Sequence, residues 1–365
     1  MPLPINPAIK TLPVYQPGRP IEEVARELRL APSSIIKLAS NENPLGPSPA
    51  SLRAMQRALR QLHLYPDGNA FSLKQKMARA LRVGADHLIL GNGSNEIIEF
   101  VGHALMRPGA EVVVSQYCFA IYPLIARLFG ATVITVPARH FGHDIPAMLG
   151  AITKRTTVVF VANPNNPTGT LAPQNWIRRL LREVPQNVLL VMDEAYLEYL
   201  RRPLDLLPLI RQGKRTNLLL MRTFSKIYGL AGLRLGYGIG HPDLIAALER
   251  VRQPFNINAL VQAGALAALE DRKHIARTRS NNQRGMKFFE VAFKKWRVEI
   301  VPSAANFVLV RVGDGQKCFL ELQKRGVITR PMGGYQLPDW LRISIGTPLE
   351  NQRCLRALRE VLFEL

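Results

Sequence analysis

The 365 residues predict a doubly wound α/β fold, a large domain with a mostly parallel sheet flanked by helices, joined to a small α+β domain. Three observations predict it. Six apolar runs of strand length recur between residues 111 and 239, each nearly continuous rather than alternating, as expected for strands buried on both faces. Helical segments lie between most of them. Beyond residue 270 the pattern changes to a long polar and basic helix, then short strands and helices.

The elements follow in order. The first forty-odd residues, rich in proline and asparagine, read as an arm with one short helix, Ile21–Leu30. Amphipathic periodicity predicts helices over Ala50–Leu62 and Phe71–Arg82, separated by the turn chemistry of Tyr65-Pro-Asp-Gly. Strands are expected at Glu111–Ser115, Thr132–Val136, Thr157–Val161, Val188–Met192, Asn217–Met221 and Leu235–Ile239. Helices are expected at Asn95–Leu105, Phe119–Phe129, Pro146–Ile152, Pro173–Glu183 and Pro242–Val251. An alanine-rich helix, Ala259–Glu270, leads into a long basic one, Asp271–Lys295. Strands near Val298–Val301, Asn306–Arg311, Val327–Thr329 and Leu341–Ile345, with helices Gln316–Arg325 and from Leu349, complete the pattern. The expected division is an arm over 1–45 that joins the small domain, a large domain over 46–270 and a small C-terminal domain over 271–365.

Composition excludes several classes. With 47% hydrophobic and 21% charged residues the chain is neither disordered nor fibrous, and its longest apolar runs fall well short of the ~20 residues a membrane helix needs. Met1-Pro-Leu-Pro-Ile-Asn-Pro has no basic segment leading into an apolar one, so no targeting peptide is expected and the cytoplasm is the expected location. Cys118, Cys318 and Cys354 lack the spacing of a disulfide framework or a zinc site, and no metal is expected. The net charge of +21 is the abnormal number, yet Arg53, Arg57, Arg79, Arg178 and Arg182 are scattered over helical segments without a lysine-rich tail. This reads as a solvated arginine-rich surface rather than a specific nucleic-acid site.

Ligands of a doubly wound sheet bind outside the carboxyl ends of its strands, and several unusual loops sit there. Asn163-Pro-Asn-Asn-Pro-Thr-Gly follows one strand, Asp193-Glu-Ala-Tyr the next, and Thr223-Phe-Ser-Lys226 a third, with Arg234 eight residues later. Singly, each has a bland alternative: Lys226 a solvated lysine, Asp193 a helix cap, Asn166 a turn former, Arg234 a surface charge. Jointly they supply an imine-forming amine, a carboxylate for a pyridinium nitrogen, donors for a phenolic oxygen, and hydroxyls with an arginine for a phosphate. Pyridoxal phosphate needs that set.

At these residues the chain resembles the fold-type I pyridoxal-phosphate aminotransferases and, among them, the histidinol-phosphate aminotransferases. The matching motifs also include Leu38-Ala-Ser-Asn-Glu-Asn-Pro-Leu-Gly-Pro-Ser-Pro, Gly91-Asn-Gly-Ser-Asn-Glu and Gly229-Leu-Ala-Gly-Leu-Arg234. The resemblance implies that Lys226 carries the cofactor and moves protons, that Asp193 pairs with the ring nitrogen, and that Asn166 and Tyr196 donate to the ring oxygen. It implies that Thr223, Ser225 and Arg234, with the amides of Ser94 and Asn95 at a helix N-terminus, bind the phosphate. The glycine string also matches a dinucleotide loop weakly, but Glu96 stands where a third glycine is needed. Where the family stacks a tyrosine on the ring, this chain offers Phe119, with Tyr117 as the competing assignment.

By the same resemblance Arg342 takes the substrate α-carboxylate, while Tyr15 and Arg330 take a phosphate ester; for Tyr15 and Arg330 ordinary packing is the alternative. Tyr65 implies a homodimer with shared sites, since its family counterpart reaches the neighbouring subunit's cofactor. The expected reaction is transamination between histidinol phosphate and 2-oxoglutarate. An aromatic amino acid aminotransferase and, behind it, a threonine-phosphate decarboxylase are the alternatives.

Overall fold

The apolar runs pair into one seven-stranded sheet, in the order Leu88–Asn92, Leu235–Ile239, Leu218–Thr223, Leu189–Asp193, Thr156–Ala162, Glu111–Ser115, Thr132–Val136. The computed structural model describes residues 3, 7–10, 12–14 and 18–363. Leu235–Ile239 is antiparallel to both of its neighbours, and the other adjacent pairs are parallel. Alternate residues of each strand feed two cores, which is why the runs are continuous: Val159, Val161, Leu190 and Met192 face one layer, and Val158, Phe160, Leu189 and Val191 the other.

The edge strand Leu88–Asn92 was not expected. It has three apolar residues before Gly91 and Asn92, and it owes its strand conformation to pairing with Leu235–Ile239, Gly91 standing opposite Gly236. Helix ends also shift. The arm helix stops at Leu28, because Arg29 turns left-handed at φ 54°, and the helix expected over Phe119–Phe129 spans Ile121–Leu128.

A third core holds the C-terminal part. Antiparallel strands in the order Arg330–Pro331, Trp340–Ser344, Phe307–Arg311, Ile300–Val301 pack with Phe289, Phe293, Leu322 and Leu358 from three helices. Val24, Ile35 and Leu38 of the arm are buried in the same core, and Ile36–Lys37 pairs in parallel with Val327–Ile328. At about 1.5–3 kcal/mol for each buried aliphatic side chain, this contact ties the arm to the C-terminal part. The helix Arg272–Trp296, capped by Asp271, spans the two regions: Arg279 Nε donates to the Glu198 carbonyl at 2.7 Å in the large part, and Phe289 and Phe293 enter the third core. Among the described residues no helix is long and apolar enough to cross a membrane. Cys118, Cys318 and Cys354 are free and buried, and burial pushes each thiol up to about 12.

Candidate active site

Three parallel strands end side by side, with Ala162 opposite Asp193 and Asp193 opposite Met221, so their loops open at the carboxyl end of the sheet. Asp193 stands at the centre, 6% exposed. Its Oδ2 accepts the Tyr122 hydroxyl at 2.5 Å, and its Oδ1 accepts the Ala195 N–H at 3.0 Å. Burial raises the Asp193 carboxyl above the ordinary range, against the Tyr122 and Ala195 hydrogen bonds and the charge of Lys226, which favour the ionised form. Tyr122 is itself fully buried and stacks on Phe160 at 4.5 Å, which fixes the direction of its donation.

Lys226 lies in the loop after the next strand. Its Nζ donates to the Ser40 carbonyl at 3.3 Å and sits 5.7 Å from the Tyr196 ring centre. Burial, reinforced by the Arg342 and Arg234 cations and opposed by Glu42 and Asp193, pulls its amine down to about 8. A lysine so placed supplies a neutral, nucleophilic nitrogen near physiological pH.

Beside them is an anion cradle. The helix Ser94–Leu105 begins at the cavity with free amides and the positive end of its dipole. Arg234 reaches it from the start of the antiparallel strand, its Nη1 donating to Ser225 Oγ at 3.4 Å, while Ser225 N–H donates to Thr223 Oγ1 at 3.1 Å. Two glycines make the approach possible. A Cβ on Gly236 would lie 2.2 Å from the Ser94 nitrogen, and one on Gly93, already at φ +77°, 2.4 Å from Arg234 Nη2.

The opposite wall comes from the C-terminal part. Arg342 donates to Asn166 Oδ1 at 2.6 Å and to the Ala39 carbonyl at 2.9 Å, and packs over Phe307 at 5.2 Å. Arg330 is its cross-strand neighbour and lines the same cavity.

The cavity thus gathers Lys226, Asp193, Tyr196, Asn166, Thr223 and Ser225 with Ser94, Asn95, Phe119, Arg234, Arg330 and Arg342. Phe119 lines it, edge-on to Tyr122 at 5.6 Å, whereas Tyr117 stacks on Phe141 at 6.0 Å outside it. Tyr65 lies away from the cavity, 84% exposed and stacked on Phe255 at 4.8 Å. Tyr15 lies outside the described residues. Sequence reasoning assigned no role to Tyr122, Asn41 or Tyr335, the last two being cavity residues. Tyr122 had a signal, its place three residues after Phe119.

The model of the aminotransferase class I and II family matches residues 33–358. The chain belongs to this family. A histidinol-phosphate aminotransferase of Akkermansia muciniphila is 49% identical over 358 residues, 98% of each chain. Histidinol-phosphate aminotransferase 1 of Thiobacillus denitrificans is 51% identical over 356 residues, 98% of this chain and 93% of that one. Among solved structures, a histidinol-phosphate aminotransferase from Sinorhizobium meliloti in complex with pyridoxal-5'-phosphate superposes with a TM-score of 0.89 at 27% identity, covering 100% of this chain and 99% of that one. Aspartate aminotransferase from Thermus thermophilus with maleate shares the fold, with a TM-score of 0.83 at 23% identity, covering 98% of this chain and 99% of that one.

The architecture of this aminotransferase is fold-type I, and its family works with pyridoxal phosphate. The residues present fit that group. A lowered lysine amine, a buried carboxylate braced by two donors, and a glycine-cleared helix N-terminus beside an arginine meet an aldehyde, a pyridine nitrogen and a phosphate respectively.

Proposed function

We propose that this aminotransferase exchanges an amino group between histidinol phosphate and 2-oxoglutarate, giving imidazole acetol phosphate and glutamate, in the biosynthesis of histidine. The observation that carries the reading is the pair Arg330 and Arg342, directly opposite on adjoining strands and lining one cavity with Lys226 and Asp193. Two guanidinium groups side by side on one cavity wall suit the planar, paired hydrogen bonding of carboxylate and phosphate groups. A substrate pair with one phosphate ester and one dicarboxylate supplies such groups, and the curated relatives named above carry this activity in their names.

When bound, pyridoxal phosphate supplies the electron sink that makes the substrate Cα–H acidic. The chain's residues do the rest. Lys226 Nζ would anchor the cofactor and then take and return the Cα proton, and Asp193 would keep the ring nitrogen protonated. Asn166 and Tyr196 would donate to the ring oxygen, and Phe119 would pack against the ring. Ser94, Asn95, Thr223, Ser225 and Arg234 hold the phosphate. Arg342 exchanges Asn166 and the Ala39 carbonyl for a substrate carboxylate, and Arg330, with Tyr15 of the arm, reads the phosphate ester. The domains run 1–45 with 271–365 and 46–270. Three buried free thiols suit a reducing compartment such as the cytoplasm.

The working unit in this reading is a homodimer with shared sites. Leu59, Leu62, Leu64, Tyr65 and Phe255 are exposed apolar residues; such a surface suits burial against a second copy. Tyr65 would reach the neighbour's cofactor phosphate. Mixing Lys226→Ala with Tyr65→Ala chains then restores activity after subunit exchange, because a hybrid has one site with both defects and one with neither. No recovery overturns sharing.

The assay that tests the reaction compares imidazole acetol phosphate with phenylpyruvate, glutamate being the donor. A much higher kcat/KM for the phosphate ester is expected. Equal values would favour the aromatic aminotransferase.

A further inference from the structure

Residues 39–41 cross the cavity wall as a strap, and each touches a different functional side chain. The Ala39 carbonyl accepts from Arg342 at 2.9 Å, the Ser40 carbonyl accepts from Lys226 at 3.3 Å, and Asn41 Nδ2 donates to the Tyr196 hydroxyl at 2.9 Å. The strap is anchored in the C-terminal core. Leu38 N–H donates to the Ile328 carbonyl at 2.7 Å, Ser344 N–H to the Leu38 carbonyl at 2.8 Å, and Asn306 Nδ2 to the Asn41 carbonyl at 2.9 Å.

The hydrogens around Asn41 fix the direction of its amide. Its backbone N–H donates to Ser344 Oγ at 2.8 Å, so that hydroxyl acts as an acceptor there and gives its own proton to Asn41 Oδ1 at 3.2 Å. The amide nitrogen is then the atom facing Tyr196. A tyrosine oxygen that accepts on one side still has its proton to donate, and Tyr196 lines the cavity. Asn41 is 1% exposed and sits at φ 55°, a left-handed conformation in which asparagine and aspartate are the commonest non-glycine residues. The position therefore asks for two properties together, tolerance of that backbone and a donor.

Resting on the cofactor reading above, we infer that Asn41 is a positioning residue for Tyr196. Its amide occupies the lone-pair side of the Tyr196 oxygen, directs the phenol proton toward the ring oxygen of bound pyridoxal phosphate, and links that contact to the C-terminal core. A purely structural Asn41 would need only its backbone shape and its Ser344 contacts.

Asn41→Asp separates the two. Aspartate keeps the size, the backbone tolerance and the Ser344 contacts, but it presents an acceptor to Tyr196 and draws the phenol proton away from the cavity. The readout is the pH midpoint of the visible absorbance of the holoenzyme. A donor on the ring oxygen stabilises its anionic form, so losing the donor moves the midpoint up. Tyr196→Phe sets the full shift, and Asn41→Asp is expected to raise the midpoint by about one pH unit, tenfold in proton affinity. In the Tyr196→Phe background Asn41→Asp adds little, because the group it acts through is gone. Asn41→Gly, which keeps the backbone and adds no charge, gives a smaller rise and serves if the aspartate variant does not fold. A wild-type midpoint in both Asn41 variants overturns the proposal, as does an Asn41→Asp shift that persists undiminished without the Tyr196 hydroxyl. If Tyr196→Phe itself leaves the midpoint unchanged, the assignment of Tyr196 falls first, and the role of Asn41 with it.

Discussion

Asp193 ends one parallel strand and the loop that carries Lys226 follows its neighbour, so their register brings them together at the carboxyl end of the sheet, and both strands are buried in the two large cores. Arg330 and Arg342 stand instead on short antiparallel strands over the third core, reaching the same cavity from the other side. The first region is set by main-chain pairing in a single sheet. The second depends on how one core sits against another, with residues 39–41 bridging them. In the proposed reading this is a division of labour: the sheet end would hold the chemistry common to every substrate, and the C-terminal wall would select which substrate enters.

The division is broken most severely at the sheet end. Asp193→Asn should fold, retain cofactor through the phosphate cradle, and lose turnover with every amino donor alike, because a neutral amide cannot keep the ring nitrogen protonated. The expected barrier increase is several kcal/mol. Single-turnover rates with glutamate and histidinol phosphate check this, and a loss below tenfold, about 1.4 kcal/mol, contradicts it.

On the opposite wall the effect should be smaller and selective. Arg330→Ala is expected to weaken histidinol phosphate by about 2–3 kcal/mol, the scale of a lost charge-assisted hydrogen bond, while leaving uncharged aromatic substrates nearly unchanged. Competing the two substrates in one assay measures the ratio, and equal losses remove Arg330 as the phosphate reader.

The mildest test sharpens the electrostatics of Lys226. Its amine, pulled down to about 8 by burial and two arginines, is protonated below that pH and neutral above it. Only the neutral form adds to an aldehyde, so cofactor uptake by the stripped protein should quicken about tenfold per pH unit up to pH ~8 and then level. A rate still climbing toward pH ~10 would mark an ordinary lysine.

Much of the sheet end was legible in the sequence, because buried parallel strands announce themselves as continuous apolar runs. Glu111–Ser115, Thr132–Val136 and Leu235–Ile239 carry the expected bounds. Leu88–Asn92, Ile36–Lys37 and Arg330–Pro331 did not announce themselves. Each is too short or too poor in apolar residues to carry a period, and each becomes a strand by pairing with a distant partner. The site follows the same rule. Lys226, Asp193 and Arg234 follow or precede recognisable strands, whereas Asn41 acquires its role by meeting Tyr196, 155 residues away, and no local pattern encodes that contact. Phe119 and Tyr117, equivalent candidates on paper, are separated by where the chain turns into the helix Ile121–Leu128.

In the proposed mechanism everything depends on Lys226, at the carboxyl end of the sheet, as the residue that holds the cofactor. Borohydride reduction of the yellow holoenzyme, followed by digestion and mass spectrometry, tests it most directly. One phosphopyridoxyl group is expected, on the peptide containing Ser225 and Lys226, and it should disappear in Lys226→Ala. A label of equal yield on any other lysine would contradict it.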